Sequence, residues 1–340
     1  MIKVGVIGAR GYTGEELIKI LIKHPGVRVT YLAATLEKAT PISEIFPHFK
    51  KRCDTKCENF SVFKASEQCD LLFLALPHTV SMDVVPAFVK KNKMIVDLSA
   101  DYRLKNAGIY KEWYHKAHKD KKNISKFVYG LPELYREKIK KTRCVANPGC
   151  YPTAAILGIV PALVSGFADR DSIIIDAKSG VSGAGKKVAL EYIFPEVNEN
   201  FKGYKYNVHQ HSPEINQELS KVSLSRVNVT FCPHLLPIKC GIFETIYIKL
   251  NKSVEPEKIE AMYRNFYKNE PFVRVKPLGK LPELKDVVGT NFCDIGLVVD
   301  ASKKLLVVVS VIDNLIKGAA GQAVQNMNLM CGFDEEMALL

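Results

Sequence analysis

The first hundred residues alternate between short apolar runs and longer segments in which apolar residues recur every three or four positions. Two of the runs, "LLFLAL" at 71–76 and "MIVDL" at 94–98, are apolar at nearly every position, as strands buried on both faces are. The predicted strands lie at 2–7, 27–33, 71–76 and 94–98, and the predicted helices at 14–24 and 80–90. Strands and helices that alternate in this way are typical of a parallel sheet with right-handed crossovers.

The pattern changes after residue 150. Further strand-like runs, with helices between them, lie at 172–176, 227–232, 241–250, 291–299 and 304–311. We therefore predict an α/β protein with a Rossmann-type dinucleotide-binding domain at residues 1–148 and a second α+β domain, of mostly antiparallel sheet, at 149–314. The small residues of 317–330 predict a helix, and we expect the segment 315–340 to pack back onto the first domain.

The composition is that of a globular protein. The chain has 340 residues, of which 47% are hydrophobic and 25% charged, and this length favours two domains. No apolar run approaches the roughly 18 to 20 residues of a membrane span, and the apolar strand at the N-terminus indicates no secretory signal. The nine cysteines are scattered, so we expect free thiols in a reducing cytoplasm and no membrane association.

The formal net charge of +12 raises the hypothesis of a basic nucleic-acid-binding or scaffold protein. The lysines are spread along the chain, and the denser runs at 116–122 and 138–143 have no aromatic residues in a stacking pattern. Net charge alone speaks to solubility and non-specific attraction. We therefore expect anionic small-molecule ligands and no nucleic acid.

A glycine-rich loop follows the first predicted strand directly. In "GARGYTGEEL", three glycines precede a predicted helix in the spacing G-x-x-G-x-x-G, rather than the commoner G-x-G-x-x-G. Glycines in this place permit a tight turn and close approach of the backbone to a pyrophosphate at the helix N-terminus. The candidate cofactor-binding residues here are Gly8, Arg10, Gly11, Tyr12, Thr13 and Gly14.

One cysteine stands where a nucleophile would be useful. In "ANPGCYPTAA", residues 146–155, Cys150 follows strong turn chemistry, and Pro152 suits the first turn of a helix. A thiol at a helix N-terminus faces unpaired N–H groups and the positive end of the helix dipole, both of which favour the thiolate.

These motifs and several others, in order along essentially the whole chain, resemble one family, the N-acetyl-γ-glutamyl-phosphate reductases, which are related to aspartate-semialdehyde dehydrogenases. The matching segments are "GYTG" at 11–14, "LPH" at 76–78, "DLSADYR" at 97–103, "YGLPEL" at 129–134, "NPGCYPT" at 147–153, "SGVSGAG" at 179–185, the histidine pair at 209 and 211, "PHLLP" at 233–237 and "DNLIKGAAGQAVQNMN" at 313–328.

The resemblance implies reduction of an acyl phosphate by NADPH with release of phosphate. Cys150 is then the nucleophile that forms a thioester. Sulfur suits this role because its thiolate is accessible near neutral pH and its thioester is more electrophilic than an oxygen ester. The same chemistry on aminoadipyl phosphate or aspartyl phosphate remains an alternative, because one methylene in a pocket is worth only about 1 to 3 kcal/mol. We also expect a homo-oligomer, either a dimer or a tetramer.

A histidine is the natural acid–base partner of this thiol, because it titrates in the right pH range. His211, just before the predicted helix start at Ser212, is our candidate base, and His209 is the supporting donor. The roles of the two could be exchanged. The pair could also bind a metal, as could Cys53 and Cys57, but no further ligand stands at suitable spacing, so we expect no metal.

The substrate's anionic groups need cations and donors. Arg103 is the candidate for them because its planar fork matches a carboxylate or a phosphate, and Asn147 and Ser182 are further candidate substrate-binding residues. By resemblance, four more residues are assigned to the cofactor, namely Ser179, Gly180, Gly183 and Asn314, and Pro77 joins them after the third predicted strand. The family commonly has an arginine directly before the Gly-Ile that follows "PHLLP". This chain has Cys240 there, preceded by Lys239; either Lys239 compensates or the alignment shifts by one residue.

The end of the second predicted strand indicates which cofactor is bound. NAD-specific folds place a carboxylate there to bind the ribose 2′-hydroxyl, but this chain has Thr35. Arg10 or Lys38 could supply positive charge, whereas Glu37, two positions on, speaks for NAD. We therefore expect NADP.

Overall fold

The computed structural model describes residues 1–186 and 188–340. The chain forms two compact units: residues 1–148 together with 319–340, and residues 149–318.

The strands are β1 (Ile2–Ile7), β2 (Val27–Ala33), β3 (Thr40–Pro41), β4 (Lys56–Glu58), β5 (Leu71–Leu74), β6 (Met94–Asp97), β7 (Val128–Tyr129), β8 (Cys144–Ala146), β9 (Ile174–Gly180), β10 (Lys202–Gly203), β11 (Thr230–Leu236), β12 (Ile242–Lys249), β13 (Val273–Val275), β14 (Cys293–Asp300) and β15 (Leu305–Ile312). The α-helices are α1 (Tyr12–Leu21), α2 (Ile42–Ile45), α3 (Val62–Gln68), α4 (Ser81–Lys90), α5 (Ala107–Tyr114), α6 (Pro132–Ile139), α7 (Cys150–Val164), α8 (Phe194–Val197), α9 (Ser212–Ser223), α10 (Pro256–Phe266) and α11 (Gly321–Cys331).

The first unit contains an eight-stranded sheet in the order β3-β4-β2-β1-β5-β6-β8-β7. Every neighbouring pair is parallel except β3 with β4. The order of the strands reverses between β1 and β5, and ligands of open α/β sheets bind beside such a reversal, at the carboxyl ends of the strands. The α/β, Rossmann-type fold predicted for the N-terminal part is confirmed.

The apolar pattern predicted the central strands of this sheet closely. β1 and β2 have the predicted bounds, whereas β5 and β6 end one or two residues early, where the chain turns away at the carboxyl edge. Two-residue and three-residue strands at the sheet edges, such as β3 and β4, have no periodicity that a sequence pattern could reveal.

The second unit contains a seven-stranded sheet in the order β10-β11-β9-β12-β15-β14-β13. The pairs β11–β9 and β13–β14 are parallel and the other four are antiparallel, so the prediction of a mostly antiparallel sheet is confirmed. The C-terminal end predicted for the strand at 172–176 is wrong, because β9 continues to Gly180. Pairing with β11 on one side and β12 on the other holds the Ser179–Gly180 end in the sheet despite its low strand propensity.

Helix α7 contacts β12, β14 and β15 as well as helices α9 and α10. Its residues from Tyr151 to Leu163 are all buried, and a helix that is apolar all round is a core helix. The sheet face beneath it carries the buried residues of β12, such as Ile242, Ile246 and Ile248. Each such side chain contributes about 1.5 to 3 kcal/mol of hydrophobic stabilisation.

No helix among the residues that the structure describes is both long and apolar enough to cross a membrane.

A buried pair of carboxyl groups lies at the carboxyl end of β6. Asp97 accepts hydrogen bonds from Ser81 Oγ (2.8 Å) and from Ser99 N and Oγ (3.1 and 2.9 Å). Asp101, also buried, accepts from Met82 N (3.1 Å) at the start of α4. Burial and the neighbouring charge of Asp101 raise the pKa of Asp97 to about 7, against the lowering effect of its hydrogen bonds.

This pKa predicts a pH-dependent stability. Because the unfolded carboxyl titrates near pH 4, the folded state loses stability as the pH rises from about 4 to about 7, by at most about 1.4 kcal/mol per pH unit. Asp97→Asn removes this titration, so its thermal midpoint should improve relative to the parent between pH 5 and pH 8. The exposed Asp171→Asn should follow the parent. Parallel curves for the parent and Asp97→Asn would contradict the raised pKa.

Candidate active site

The glycine-rich loop lies at the reversal of strand order in the first unit. Gly11 is the N-cap of α1. Gly8 has φ +95°, and a Cβ there would lie 2.1 Å from the carbonyl oxygen of Ala75, just past β5. Only glycine permits this backbone conformation and this close approach. The result is a tight turn at a helix N-terminus, which is the geometry of a dinucleotide phosphate site. Pro77 follows β5 at the same sheet edge.

The end of β2 carries the predicted ribose site. Thr35 lies exposed just past the strand, and its carbonyl oxygen accepts a hydrogen bond from Arg10 Nη1 (3.1 Å). Glu37 and Lys38 are exposed nearby along the chain. The structure thus brings the predicted cation and the predicted hydroxyl residue together within the first unit.

Arg103 and Asn147 also belong to the first unit, and both are buried. Arg103 donates from Nε to the carbonyl of Asn147 (2.7 Å) and from Nη2 to that of Leu98 (2.8 Å). It therefore holds together the chain segments that leave β6 and β8. The Asn147 amide is in turn bonded to Ala319 O (3.2 Å) and to Asn326 Nδ2 (3.0 Å).

In the second unit, Cys150 is the first residue of α7, and Gly149 is the N-cap. The Gly149 N–H donates to Oε1 of Glu214 (2.8 Å), a buried carboxyl on α9, and Thr153 Oγ donates to the Gly149 carbonyl (3.0 Å). These bonds fix the start of the helix. The positive end of its dipole favours an anion at this position, as predicted for a thiolate.

Cys150 lines a cavity of about 300 Å³ within this unit. Six predicted site residues line it, namely Cys150, Ser179, Gly180, Gly183, His209 and His211. The remaining lining residues were not predicted: Tyr151, Ala184, Glu191, Tyr192, Lys202, Tyr204, Lys205 and Leu235.

The two histidines lie side by side at this cavity. Their ring centroids are 4.8 Å apart, and the ring of Tyr151 meets both edge-on, at 5.6 and 5.9 Å. The backbone N–H of His211 donates to Nδ1 of His209 (3.1 Å). Neutral His209 therefore carries its proton on Nε2. His211 is the residue directly before α9, as the sequence predicted.

Two tyrosines add neutral polar groups. The hydroxyls of Tyr151 and Tyr204 are 3.1 Å apart. Burial is the main cause that raises the pKa of each, that of Tyr151 well above its usual value. Both phenols therefore remain protonated near neutral pH and can act as hydrogen-bond donors.

Ser182 and Asn314 are not among the residues that line the cavity. They are hydrogen-bonded to each other. Asn314 donates from Nδ2 to Ser182 Oγ (2.9 Å) and accepts from Gly241 N (2.7 Å). The Cys240 thiol is 3.5 Å from Ser182 Oγ, and the backbone carbonyl of the exposed Lys239 accepts from Ser182 N (3.0 Å). The thiol of Cys240 thus contacts Ser182.

Most cavity residues that sequence reasoning missed lie between 188 and 208, where β10 has only two residues and the other elements form single turns. This segment has no apolar period to predict its path. One sequence signal could have indicated a structural role for Glu214. It carries a carboxyl three residues after a candidate base, in the first turn of a predicted helix.

No cluster of three or more potential metal ligands occurs within residues 1–186 and 188–340.

A glycine also contacts Cys150 from the other end of the unit. Ile316–Ala320 form a π-helical turn, in which the Gly318 N–H donates to Asp313 O (2.8 Å). A Cβ on Gly318 would lie 2.7 Å from Cβ of Cys150 and 3.2 Å from its Cα. The backbone of this turn therefore packs directly on the backbone of the candidate nucleophile.

Comparison with protein families agrees with both units. Residues 3–142 match the model described as semialdehyde dehydrogenase, NAD binding domain, and residues 150–314 match semialdehyde dehydrogenase, dimerisation domain. The chain therefore belongs to the semialdehyde dehydrogenase family.

Individual relatives narrow the family. The chain is 48% identical over 340 residues to the N-acetyl-gamma-glutamyl-phosphate reductase of Desulfotalea psychrophila, covering 100% of this chain and 98% of that protein. It is 47% identical over 340 residues to that of Geobacter sulfurreducens, with the same coverage. The resemblance to N-acetyl-γ-glutamyl-phosphate reductases found from the motifs is confirmed.

Solved structures agree on the fold. The chain matches an aspartate semialdehyde dehydrogenase II of Vibrio cholerae, complexed with ASA, with a TM-score of 0.73 at 16% identity and 98% coverage of each chain. It matches a Candida albicans aspartate semialdehyde dehydrogenase with NADP at a TM-score of 0.73 and 17% identity, covering 97% of this chain and 98% of that one.

The contact between Gly318 and Cys150 generates a prediction. In Gly318→Ala the added methyl group must push Cys150 away from its place at the helix start, which should cost about 1 to 3 kcal/mol of stability. Because the displaced thiol loses the favourable helix dipole, its alkylation by iodoacetamide, followed by mass spectrometry of the Cys150 peptide, should slow severalfold.

Gly158→Ala is the matched control. It lies two turns along α7, where a Cβ would lie 2.8 Å from Ile246 Cδ1, so stability should fall while alkylation of Cys150 stays unchanged. Equal alkylation rates for the parent and Gly318→Ala would show that Gly318 does not position the thiol.

Proposed function

We propose that the protein reduces N-acetyl-γ-glutamyl phosphate with NADPH to N-acetylglutamate semialdehyde and phosphate, a step of arginine biosynthesis. The observation that carries this proposal is Cys150 at the start of α7, in one cavity with His209 and His211. The full-length relatives named for this activity support the substrate. Their names do not favour the aspartyl phosphate alternative.

Cys150 provides the covalent step. Its thiolate attacks the acyl carbon, the C–O bond to phosphate breaks, and the phosphate leaves with the electron pair, so that a thioester forms. NADPH, when bound, supplies the hydride that reduces this thioester. The oxyanion that remains on the acyl carbon takes up a proton and becomes the hydroxyl of a thiohemiacetal. The hydroxyl then gives this proton back, the carbonyl re-forms and the Cys150 thiolate is expelled, which releases the aldehyde and restores the enzyme.

We assign the proton transfers to His211, which accepts the proton of the thiol, donates it to the oxyanion and takes it back from the hydroxyl of the thiohemiacetal. Its place directly before α9, at the same cavity as Cys150, supports this role. Nδ1 of His209 already accepts the backbone N–H of His211. This bond leaves Nε2–H of neutral His209 as a donor, which supports the role of a positioning and donating partner.

We assign the pyrophosphate and the ribose 2′-phosphate of NADP to the first unit. The turn at Gly8 has no room for a side chain and fits a pyrophosphate, and Arg10 beside Thr35 fits a ribose 2′-phosphate. Gly11, Tyr12, Thr13, Gly14 and Pro77 complete this proposed surface. By resemblance, the nicotinamide end is assigned to Ser179, Gly180, Gly183 and Asn314.

For the substrate, we retain Arg103, Asn147 and Ser182 as proposed binding residues. The bonds of Arg103 to two carbonyls support an additional role for it in fixing the segment that leads to Cys150.

We further propose a homo-oligomer built on the sheet of the second unit. The face of the sheet opposite α7 includes the apolar residues Ile174, Tyr247 and Val298, which are 42%, 36% and 44% exposed. Apolar exposure on a sheet face is typical of a subunit interface. We also propose a cytoplasmic location, since all nine cysteines are free thiols.

The central test is turnover of Cys150→Ser. A hydroxyl is a far weaker nucleophile than a thiolate, so NADPH oxidation with N-acetyl-γ-glutamyl phosphate should fall at least a thousandfold, while NADPH binding stays near that of the parent. Cys53→Ser, half-buried in the first unit, is the matched control and should retain activity. Turnover of Cys150→Ser within tenfold of the parent would exclude the nucleophile assignment.

The cofactor assignment has its own test. Arg10→Ala removes a charged partner of the 2′-phosphate, so the preference for NADPH over NADH in kcat/KM should fall about 10- to 100-fold. Turnover at saturating NADPH should suffer less. Arg28→Ala, an exposed arginine at the other end of β2, is the control. If Lys38→Ala lowers the preference for NADPH more than Arg10→Ala does, Lys38 is the phosphate partner. Equal kcat/KM for NADH and NADPH in the parent would show that Glu37 contacts the ribose.

A further inference from the structure

Two lysines line the cavity that contains Cys150. Lys202 lies half-buried on β10, and Lys205 lies exposed three residues on. Their ammonium groups contact only neutral oxygens in this unit: Lys202 Nζ is 3.3 Å from the carbonyl of Glu191, and Lys205 Nζ is 3.3 Å from Oε1 of Gln210. Neither lysine forms an ion pair with a carboxylate among the described residues.

The cavity has an excess of positive charge. Glu191 supplies its one carboxylate among the lining residues, and this side chain is exposed and bonded to Tyr192. Two ammonium groups against one carboxylate leave a net positive charge while Cys150 and both histidines are neutral. Transfer of the thiol proton from Cys150 to His211 does not change this sum, because both residues line the cavity. Such a cavity attracts a polyanion.

The backbone around Lys205 is fixed rather than loose. Lys202 and Gly203 of β10 pair with β11, Tyr204 N donates to Pro233 O (3.0 Å), and Asn207 N donates to Phe231 O (3.1 Å). The Asn207 side chain accepts from Phe231 N (3.1 Å). Hydrogen bonds on both sides of Lys205 thus tie its loop to the sheet.

This loop also holds two residues in the left-handed conformation. Lys205 and Asn207 have φ of +48° and +56°. The left-handed region is unfavourable for most residues with a Cβ, though less so for asparagine, and it persists where the surroundings impose it. The hydrogen bonds on both sides of Lys205 hold it in this conformation, so its position beside the cavity is set by the backbone.

We propose that Lys202 and Lys205 form the anion subsite of the Cys150 cavity. The inference rests on the proposed reaction and deepens it. The substrate carries a carboxylate and an acyl phosphate whose phosphate group has a charge of about −1.5 to −2, and an ammonium group binds either oxyanion as a point charge. The shared chemistry is an oxyanion held at the two lysines while the acyl carbon meets Sγ of Cys150.

The reverse reaction separates the two possible anions. With N-acetylglutamate semialdehyde, NADP and inorganic phosphate, the Michaelis constants for the aldehyde and for phosphate are measured separately. Lys202→Met and Lys205→Met keep the length of the side chain and remove its charge. In the double variant, one constant should rise about 10- to 100-fold. A rise for phosphate assigns the subsite to the leaving group, and a rise for the aldehyde assigns it to the carboxylate.

Two further variants control for charge and for folding. Lys205→Arg in the Lys202 parent should keep both constants near their original values. Lys252→Met removes an exposed lysine that packs over Phe167, away from the cavity lining, and it should change neither constant. If the double variant stays within twofold of the parent in both constants, or if Lys252→Met raises them equally, the proposal is overturned.

A measurement without turnover keeps the inference separate from the proposed function. Inorganic phosphate should slow the alkylation of Cys150 by neutral iodoacetamide in the parent. The double variant should need about 10- to 100-fold more phosphate, or N-acetylglutamate semialdehyde, for half-protection. An inactive parent with this protection would overturn the proposed reaction and support the subsite, whereas equal half-protection in parent and variant by both anions would overturn the subsite alone.

Discussion

The burial of helix α7 is the interaction on which the candidate active site depends. The helix is apolar on every side, and its burial against β12, β14 and β15 leaves it little freedom to shift. Cys150 is its first residue, so the packing of the apolar helix determines the position of the thiol. Glu214 at the N-cap and Gly318 on the backbone of Cys150 then fix the helix end from two sides.

The same logic explains where sequence reasoning succeeded. β1, the glycine loop and the start of α7 are specified locally, by apolar runs followed by glycine and proline at positions where the backbone must turn. Cys150 could therefore be placed at a helix start without coordinates. His209 and His211 were placed at the site by chemistry and resemblance, and the cavity contains both.

What the sequence could not predict depends on contacts between distant segments. The end of β9 at Gly180 is held by strands on both sides, so its own weak propensity gave no sign of it. Lys202 and Lys205 reach the cavity because β10 pairs with β11, a contact made by two residues only. Arg103 has the right chemistry to bind an anion, yet its buried guanidinium donates hydrogen bonds to the carbonyls of Leu98 and Asn147. Composition and spacing cannot predict these two bonds.

Arg103 and the two cavity lysines show that the cations of a protein of net charge +12 differ in their roles. A buried cation must satisfy donors locally, because an unpaired buried charge is costly, and it thereby also fixes the backbone around it. A half-buried or exposed lysine keeps its hydration at little cost and can exchange it for a ligand oxyanion. Charge alone therefore does not mark an anion site. The distinguishing features are a cation that borders a cavity, a backbone that fixes it there, and the absence of a described carboxylate partner, and in the second unit Lys202 and Lys205 combine all three.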